Sequence, residues 1–362
     1  MLSRLVAGCM TGTSIDGLDV ALIAIDGKGL ALRARFVRGL SHDLGAAAVG
    51  LRALAAQQPL SAGAIAAIMH DFALVHLAAL RDLAGGDRLD LVAIHGQTVF
   101  HAPPLSWQLF QPAPVAHGLG VAVVHDLRAA DLARGGQGAP ITPLADWIAL
   151  RDARERRVVV NLGGFCNLTA LPADGGPEAI AGRDVCACNQ VLDHLARSLL
   201  GRAYDVDGDV AASAAADAAA VAELATGLRR QAAARRSLGT GDELAALVDA
   251  LGTRLPAAVV AASACRAIAE TIAAVAAEGG RPQRVLLAGG GLRNRALRAA
   301  LVAACAPAIV APTDDHGVPA PYREAFAMAV LGALAQDRVA ITLPQVTGGA
   351  GSAPLAGCWT LP

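Results

Sequence analysis

Two segments of the same design, one near the start of the chain and one near its middle, constrain the fold more than any other feature. In the first, the apolar run Leu5 to Cys9 meets the polar turn Thr11-Gly12-Thr13-Ser14-Ile15-Asp16-Gly17 and resumes with alternating Leu18, Val20, Leu22, Ile23 and Ile25. In the second, Arg157 to Asn161 meets Leu162-Gly163-Gly164-Phe165 and resumes over Asn167 to Leu171. Each reads as two antiparallel strands joined by a tight turn. A chain that opens two halves in this way, with strands and helices alternating after each hairpin, predicts an α/β protein of two similarly built domains.

The remaining pattern fits that division. Helical stretches are expected near His42 to Gln57 and Ala64 to Leu83, then a buried strand Leu89 to Ile94 ending in His95-Gly96-Gln97-Thr98. A further strand, Val121 to Val124, leads to His125-Asp126-Leu127-Arg128, and a glycine loop runs from Gly135 to Pro140. In the second half a helix should begin near Asn189, and an alanine-rich helical region covers Val210 to Arg236, with Asp217, Glu223, Arg229 and Arg230 at spacings suited to solvated faces. A strand Arg284 to Leu287 then meets Gly289-Gly290-Gly291, and a late helix, Tyr322 to Leu334, opens with Arg323-Glu324-Ala325. The expected boundaries are 1–145 and 146–362, the last helix being free to pack back on the first domain.

The first turn has chemistry suited to phosphate. Gly12 and Gly17 can take positive φ and let a ligand approach the main chain, while Thr11, Thr13 and Ser14 offer donors to phosphoryl oxygens. Asp16 and Asp19 can hold a metal ion or a water. The same composition also makes an ordinary hairpin, since Gly, Ser and Asp are turn formers in any protein. Gly289 to Gly291, lying between a strand and a helix, can set amides and a positive helix end beside an anion. Two hairpin-led halves with such a junction are what a nucleotide cleft between two ribonuclease-H-like domains requires.

Composition excludes several partners. At 362 residues the chain is long enough for two sizeable cores, and charged residues make up only 17% of it, yet no stretch of spanning length is free of charged or turn residues. No membrane partner is therefore expected. A net charge of −1 leaves no basic footprint for nucleic acid. The apolar run before Cys9 is shorter than the core of a signal peptide, about 7–15 residues, and the seven cysteines include no CxxC pair. The expectation is a cytoplasmic protein with reduced thiols and a small-molecule partner. Lys28 is the only lysine, so no phosphate-binding G-x-x-x-x-G-K-[ST] loop exists. Main-chain amides, arginines and Mg²⁺ must carry the charge of any bound nucleotide.

These motifs together resemble the anhydro-N-acetylmuramic acid kinases, members of the hexokinase/actin/Hsp70 superfamily. MTGTSIDGLDVAL (Met10 to Leu22) resembles their M-S-G-T-S-x-D-G-x-D opening, and IHGQTVFH (Ile94 to His101) their HGQT segment. HDLRAADLARGGQGAPITP (His125 to Pro143) and VNLGGFCNLT (Val160 to Thr169) are similar to two further family segments. YDVDG (Tyr204 to Gly208), AGGGLRN (Ala288 to Asn294), VPAPYREAFAMA (Val318 to Ala329) and PQVTGG (Pro344 to Gly349) follow in the family's order.

The resemblance implies the actin/hexokinase/Hsp70-like fold, ATP and Mg²⁺ as cofactors, an anhydro amino sugar as substrate, and a homodimer. The implied reaction opens the 1,6-anhydro ring with water and phosphorylates O6. Asp184 maps onto the family's general base, although the residues that follow it, Val185-Cys186-Ala187-Cys188, replace Thr-Gly-Pro-Gly. The competing reading of Asp184 is a cap on the helix starting near Asn189. Gly12, Thr13, Ser14, Ile15, Asp16, Gly17, Leu18 and Asp19 would serve the nucleotide phosphates, with Asp16 also at the metal. Gly163 and Gly164 form a second phosphate turn, and Gly289, Gly290, Gly291 and Asn294 would face the adenosine. His95, Thr98, Asp126, Arg128, Asn167 and Glu324 would contact the sugar, while His101 reads as a surface loop residue. Phe110 stands where the family has glycine and either narrows the sugar pocket or repacks a loop. Those departures leave open a kinase for a related amino sugar, or a non-catalytic sensor of the same fold.

Overall fold

The computed structural model describes residues 3–234, 238, 242 and 244–362, and these form two compact units. The first comprises residues up to Leu150 together with Gly317–Pro362, and the second Arg151–His316.

The first unit opens with strands β1 (Arg4–Thr11), β2 (Leu18–Asp26) and β3 (Arg33–His42), a three-stranded antiparallel meander. Helices α1 (Ala47–Ala55) and α2 (Ala62–Ala84) follow, then β4 (Leu91–Ile94), which pairs parallel with β1. A hairpin of β5 (Gln97–Ala102) and β6 (Leu105–Leu109) stands apart from that sheet. Helix α3 (Ala113–Leu119), strand β7 (Val123–His125) and helices α4 (Ala129–Ala133) and α5 (Pro143–Leu150) complete this stretch.

The second unit repeats the plan. Strands β8 (Arg157–Leu162), β9 (Phe165–Leu171) and β10 (Ala181–Ala187) form an antiparallel meander. Helices α6 (Asn189–Leu200), α7 (Asp209–Ala212), α8 (Ala218–Ala234), α9 (Ala245–Gly252) and α10 (Ala257–Ala276) come next. Strand β11 (Arg284–Ala288) joins β8 in parallel, and after α11 (Arg295–Cys305) strand β12 (Ile309–Pro312) joins β11. The alanine-rich region is not one helix: the chain breaks after α7, and Asp217 accepts from the Ala220 amide at 2.8 Å as the cap of α8 rather than lying on its face. The part of that region from Arg235 to Arg236 lies outside the described residues.

The chain then returns to the first unit with α12 (Arg323–Gln336), α13 (Pro344–Thr347) and β13 (Cys358–Thr360). Strand β13 pairs antiparallel with β7, giving the sheet order β13-β7-β4-β1-β2-β3 against β10-β9-β8-β11-β12 in the second unit. Apart from β13 the two sheets share one order and one pattern of directions, the ribonuclease-H-like arrangement. The second unit therefore ends at His316 rather than Pro362: the last helix, α12, lies against β1 of the first unit, the packing the sequence allowed, and β13 joins that unit's sheet.

The alternation of β1 shows how that sheet is covered. Ala7 and Cys9 pack in one apolar cluster with Phe72, Ala73 and Leu80 of α2. Gly8 points the other way, where a Cβ would lie 2.0 Å from the Ala325 carbonyl oxygen and 2.5 Å from the Ala329 amide. Glycine is required there for α12 to lie against the strand. Helices α2 and α10 are long and apolar enough to cross a bilayer by length and composition, and α10 supplies much of the second core through Val260, Ile268 and Ile272.

Candidate active site

The turn between β1 and β2 is held from several sides. Gln97 Nε2 donates to the Gly12 carbonyl at 3.2 Å, Thr11 Oγ1 to the Gly96 carbonyl at 3.2 Å, and Arg52 Nη2 to the Ile15 carbonyl at 2.7 Å. The expected positive φ at Gly12 and Gly17 is not found; Ile15 takes it instead, at φ 55°. A β-branched residue adopts that conformation only under strong local restraint, and here the side chain is 2% exposed while its amide donates to the Gly12 carbonyl. The buried Ile15 bends the chain so that Thr13, Ser14 and Asp16 are exposed. Ser14 Oγ donates to Asp16 Oδ1 at 2.9 Å, and Ser41 Oγ to Asp19 Oδ1 at 2.5 Å. Gly17 and Leu18 lead into β2, Leu18 wholly buried.

The residues expected at the sugar gather around Arg128, at the start of α4. His95 is 3% exposed, and both ring nitrogens are engaged: Nδ1 lies 2.8 Å from the Gly96 carbonyl oxygen, and Arg128 donates to Nε2 from Nε at 3.0 Å and Nη2 at 2.8 Å. Burial, reinforced by the Arg128 charge, lowers its pKa to about 3. The ring expected to contact the sugar thus has both its nitrogens engaged within the protein. Thr98 Oγ1 accepts from Gln108 Nε2 at 3.4 Å. His101 lies on β5, not in a surface loop; it shares a 2.8 Å hydrogen bond with Ser106 Oγ, and burial lowers its pKa to about 4.

Asp126 has φ 50° and accepts from the Ala129 amide at 3.3 Å. It lines a cavity of about 190 Å³ with Ser106, Trp107, Gln108, Phe110 and His125. Phe110 both forms a wall of this cavity and packs edge-on to Phe72, with centroids 6.2 Å apart. Glu324, in the first turn of α12, is half-buried, and desolvation raises its pKa against the opposing effect of Arg323.

In the second unit Asp184 sits in β10, not at a helix terminus. It is opposite Asn167 of β9, which is in turn opposite Asn161 of β8, so three polar residues form a row across three adjacent strands. The Leu238 amide donates to Asp184 Oδ2 at 2.9 Å. Helix α6 does start at Asn189, but Cys188 holds the N-cap position, which removes the capping role proposed for Asp184. Val185, Cys186, Ala187 and Cys188 are buried and none has positive φ, so this unusual run continues the strand past a bulge after Asp184. Burial pushes the Cys186 thiol up to about 12, the state of an unreactive core cysteine.

Two glycine segments close around Asn161 and Asn189. The Asn189 and Cys188 amides donate to the Gly163 and Gly164 carbonyls at 3.1 and 2.9 Å. Gly289 has φ 86°, and a Cβ there would lie 2.8 Å from Asn161 Oδ1; one on Gly291 would lie 2.9 Å from Asn189 Oδ1. Gly290 lies beside Asn189 as well. Asn294 Oδ1 accepts from the Leu297 amide at 2.9 Å, so that oxygen, expected to face adenosine, caps α11.

Several supporting residues escaped the sequence reading. Asp131 is 1% exposed and accepts from the Gly138 amide and from Thr347 Oγ1, each at 2.8 Å, which ties the glycine loop 135–140 to α13. Arg323 donates to Asp146 from both Nε and Nη2 in an ion pair where each side chain is 2% exposed, fixing the first turn of α12 to α5. The signal was present in the spacing of GGQGAP and PQVTGG, but their pairing appears only in three dimensions.

The family described as anhydro-N-acetylmuramic acid kinase matches residues 4–360. A protein of that name from Salinibacter ruber is 34% identical, the match covering 97% of this chain and 95% of the relative. One from Gloeobacter violaceus is 33% identical over 97% of each chain, and one from Bordetella parapertussis is 37% identical over 95% of this chain and 93% of its own.

Proposed function

The chain belongs to the anhydro-N-acetylmuramic acid kinase family, and on that premise we propose how its residues divide the work of the reaction. The enzyme uses ATP and water to open 1,6-anhydro-N-acetylmuramic acid, giving N-acetylmuramic acid 6-phosphate and ADP in cell-wall sugar recycling. Water adds to C1, the C1–O6 bond breaks, and O6 takes the γ-phosphoryl group. The water must lose a proton as it attacks, so one carboxylate has to act as general base.

Asp184 is that base. Its place opposite Asn167, on a strand rather than on a helix end, is the observation that carries the assignment. The carboxylate is held at one oxygen by the Leu238 amide, which orients it. Asn167 orients the attacked end of the sugar, and Thr98, Asp126, Arg128 and Glu324 recognise its polar substituents. The β1–β2 turn, with exposed Thr13 and Ser14, donates to phosphoryl oxygens, as do the amides around Gly163–Gly164 and Gly289–Gly291.

Mg²⁺ suits this donor set, because that ion is commonly held by one or two carboxylates together with nucleotide phosphates. The exposed Asp16, with Ser14 on Oδ1, fits that role. When bound, the ion neutralises charge on the transferring phosphoryl group.

The test is incubation with Mg·ATP and 1,6-anhydro-N-acetylmuramic acid, following ADP release and the mass of the sugar. The expected product gains one phosphoryl group and one water. Asp184→Asn should lose at least about 1000-fold in kcat while melting like wild type and retaining ATP. Comparable turnover by that variant would remove Asp184 from the base role, and phosphorylation of a different anhydro amino sugar alone would reassign the substrate.

A further inference from the structure

This inference deepens the substrate assignment above and rests on it. The parallel strands β1, β4 and β7 pair with Cys9 opposite Ile94 and Ala93 opposite Val124, so His125 ends β7 level with Cys9 near the end of β1. Two strand spacings separate them, about 10 Å. Ligands of α/β sheets bind just beyond the carboxyl ends of such strands. On this edge lie the phosphate turn after β1 and Asp126 after β7.

The 190 Å³ cavity stands at the β7 end of that edge, walled by Trp107, Phe110, His125, Asp126 and Leu132. It is smaller than the roughly 300 Å³ at which pockets for whole ligands begin, so it takes one substituent rather than a sugar ring. Trp107 is 42% exposed, which leaves that wall in contact with solvent. Asp126 Oδ1 accepts from the Ala129 amide. Among the described residues none hydrogen-bonds to the other Asp126 oxygen, to the His125 ring or to the indole N–H of Trp107. The cavity thus offers two aromatic walls, N–H donors and one carboxylate acceptor.

With O6 at the phosphoryl group beside the first turn, the substituents that reach this cavity are those on C2, C3 and C4, the side of the bicyclic sugar turned away from O6. They are an acetamido group, the lactyl ether with its carboxylate, and a hydroxyl. The lactyl carboxylate would meet the like charge of Asp126. Burial lowers the His125 pKa against the pull of Asp126, so the imidazole supplies no compensating charge at neutral pH. A hydroxyl would leave both aromatic walls uncovered. The acetamido group matches every part, with a methyl for the rings, a carbonyl for an N–H donor and an N–H for Asp126.

We infer that this cavity holds the acetamido group of the substrate, Trp107 and Phe110 enclosing its methyl and Asp126 accepting from its N–H. Trp107 and Phe110 are then specificity-determining residues, and Phe110 is one that this chain has where the family has glycine.

The substrate carries its own control, because it has two methyl groups, one acetamido and one lactyl. Saturation-transfer NMR of 1,6-anhydro-N-acetylmuramic acid with wild-type protein, irradiating aromatic protons without ATP, reads which methyl lies against the rings. Aromatic residues are only 3% of the chain, so few other rings compete. The acetamido methyl should receive most of the saturation.

Trp107→Leu, at an exposed position, should melt like wild type, remove much of that saturation and weaken the sugar roughly 3- to 10-fold by calorimetry, the range for an aromatic contact. The analogue with a hydroxyl in place of the acetamido group should bind wild type and this variant equally. Asp126→Asn keeps an oxygen for the Ala129 amide and suits the positive φ. It should weaken the acetamido sugar by roughly 10- to 100-fold, the range for a hydrogen bond to a charged group.

Stronger saturation of the lactyl methyl, tighter binding by Asp126→Asn, or equal loss of both sugars in Trp107→Leu would overturn the inference and leave the substrate assignment standing. No binding of the sugar by wild type in the calorimeter would defeat the substrate assignment, and the subsite with it.

Discussion

At the scale of single residues, burial decides more than residue type. His76 lies on α2 with its ring edge-on to Phe72 at 4.4 Å between centroids and Nδ1 2.9 Å from the Phe72 carbonyl oxygen. Burial lowers its pKa to about 4. Below its ordinary value near 6.5, the unfolded chain takes up a proton that the folded protein refuses. Stability from this group is therefore complete above about 6.5 and falls as the pH drops toward 4. His76→Phe should remove that term, so urea midpoints at pH 7.5 and pH 5 should tilt toward the variant by roughly 2 kcal/mol at the lower pH. Parallel pH profiles for the two proteins would show that His76 is not held neutral. The same logic explains where residue-level reading succeeded and failed in the first turn. That Thr13, Ser14 and Asp16 should be presented was legible from a polar run between two apolar strands. That Ile15, not a glycine, carries the positive φ was not, because the anchors are Arg52 and the buried pocket around Ile15, both remote in sequence.

At the scale of elements, close approach between main chains sets what can change. Helix α12 meets β1 at Gly8, where an added Cβ strikes helix backbone rather than a movable side chain. Gly8→Ala should cost about 3 kcal/mol or more, seen as a melting temperature lower by roughly 10 °C, and should raise KM for the sugar because Glu324 lies in the first turn of that helix. An unchanged melting point would mean that α12 can slide without loss. The buried bond from Thr347 to Asp131 makes a second case. Thr347→Val should destabilise by about 1.5–3 kcal/mol, with faster hydrogen exchange at the Gly136 to Gly138 amides; protection unchanged there would dissociate α13 from the glycine loop. The long helices and central strands were readable from apolar periodicity. Strand β3 was not, since none of its residues is fully buried and Arg33, Arg35 and Arg38 interrupt the apolar pattern. The β5–β6 hairpin was hidden for a related reason: its histidine, glutamines and serine read as a motif in a loop rather than as alternating strand residues.

At the scale of the whole molecule, the duplicated plan was legible because each half announces itself with the same hairpin, and both sheets carry the same order. The path of the last segment was legible only in part: the last helix could be left free to pack back on the first domain, but nothing local in Gly317–Pro362 says which sheet it joins. Its place follows from long-range fits, Gly8 and Ala93 admitting α12 and β7 pairing with β13. This organisation predicts unequal independence for the pieces. Arg151–His316 has its own sheet and its own apolar cluster, so as a separate chain it should unfold in one cooperative urea transition and give a dispersed amide spectrum. Residues 1–150 alone lack α12, whose Phe326, Met328, Val330 and Leu331 are buried against that unit, and should remain aggregated or molten. Joining 317–362 to residue 150 through a flexible linker should restore a cooperative transition. A well-folded 1–150 without that segment would mean that the first unit does not need the returning helix, and the observed boundary at His316 would then mark packing alone and not a folding unit.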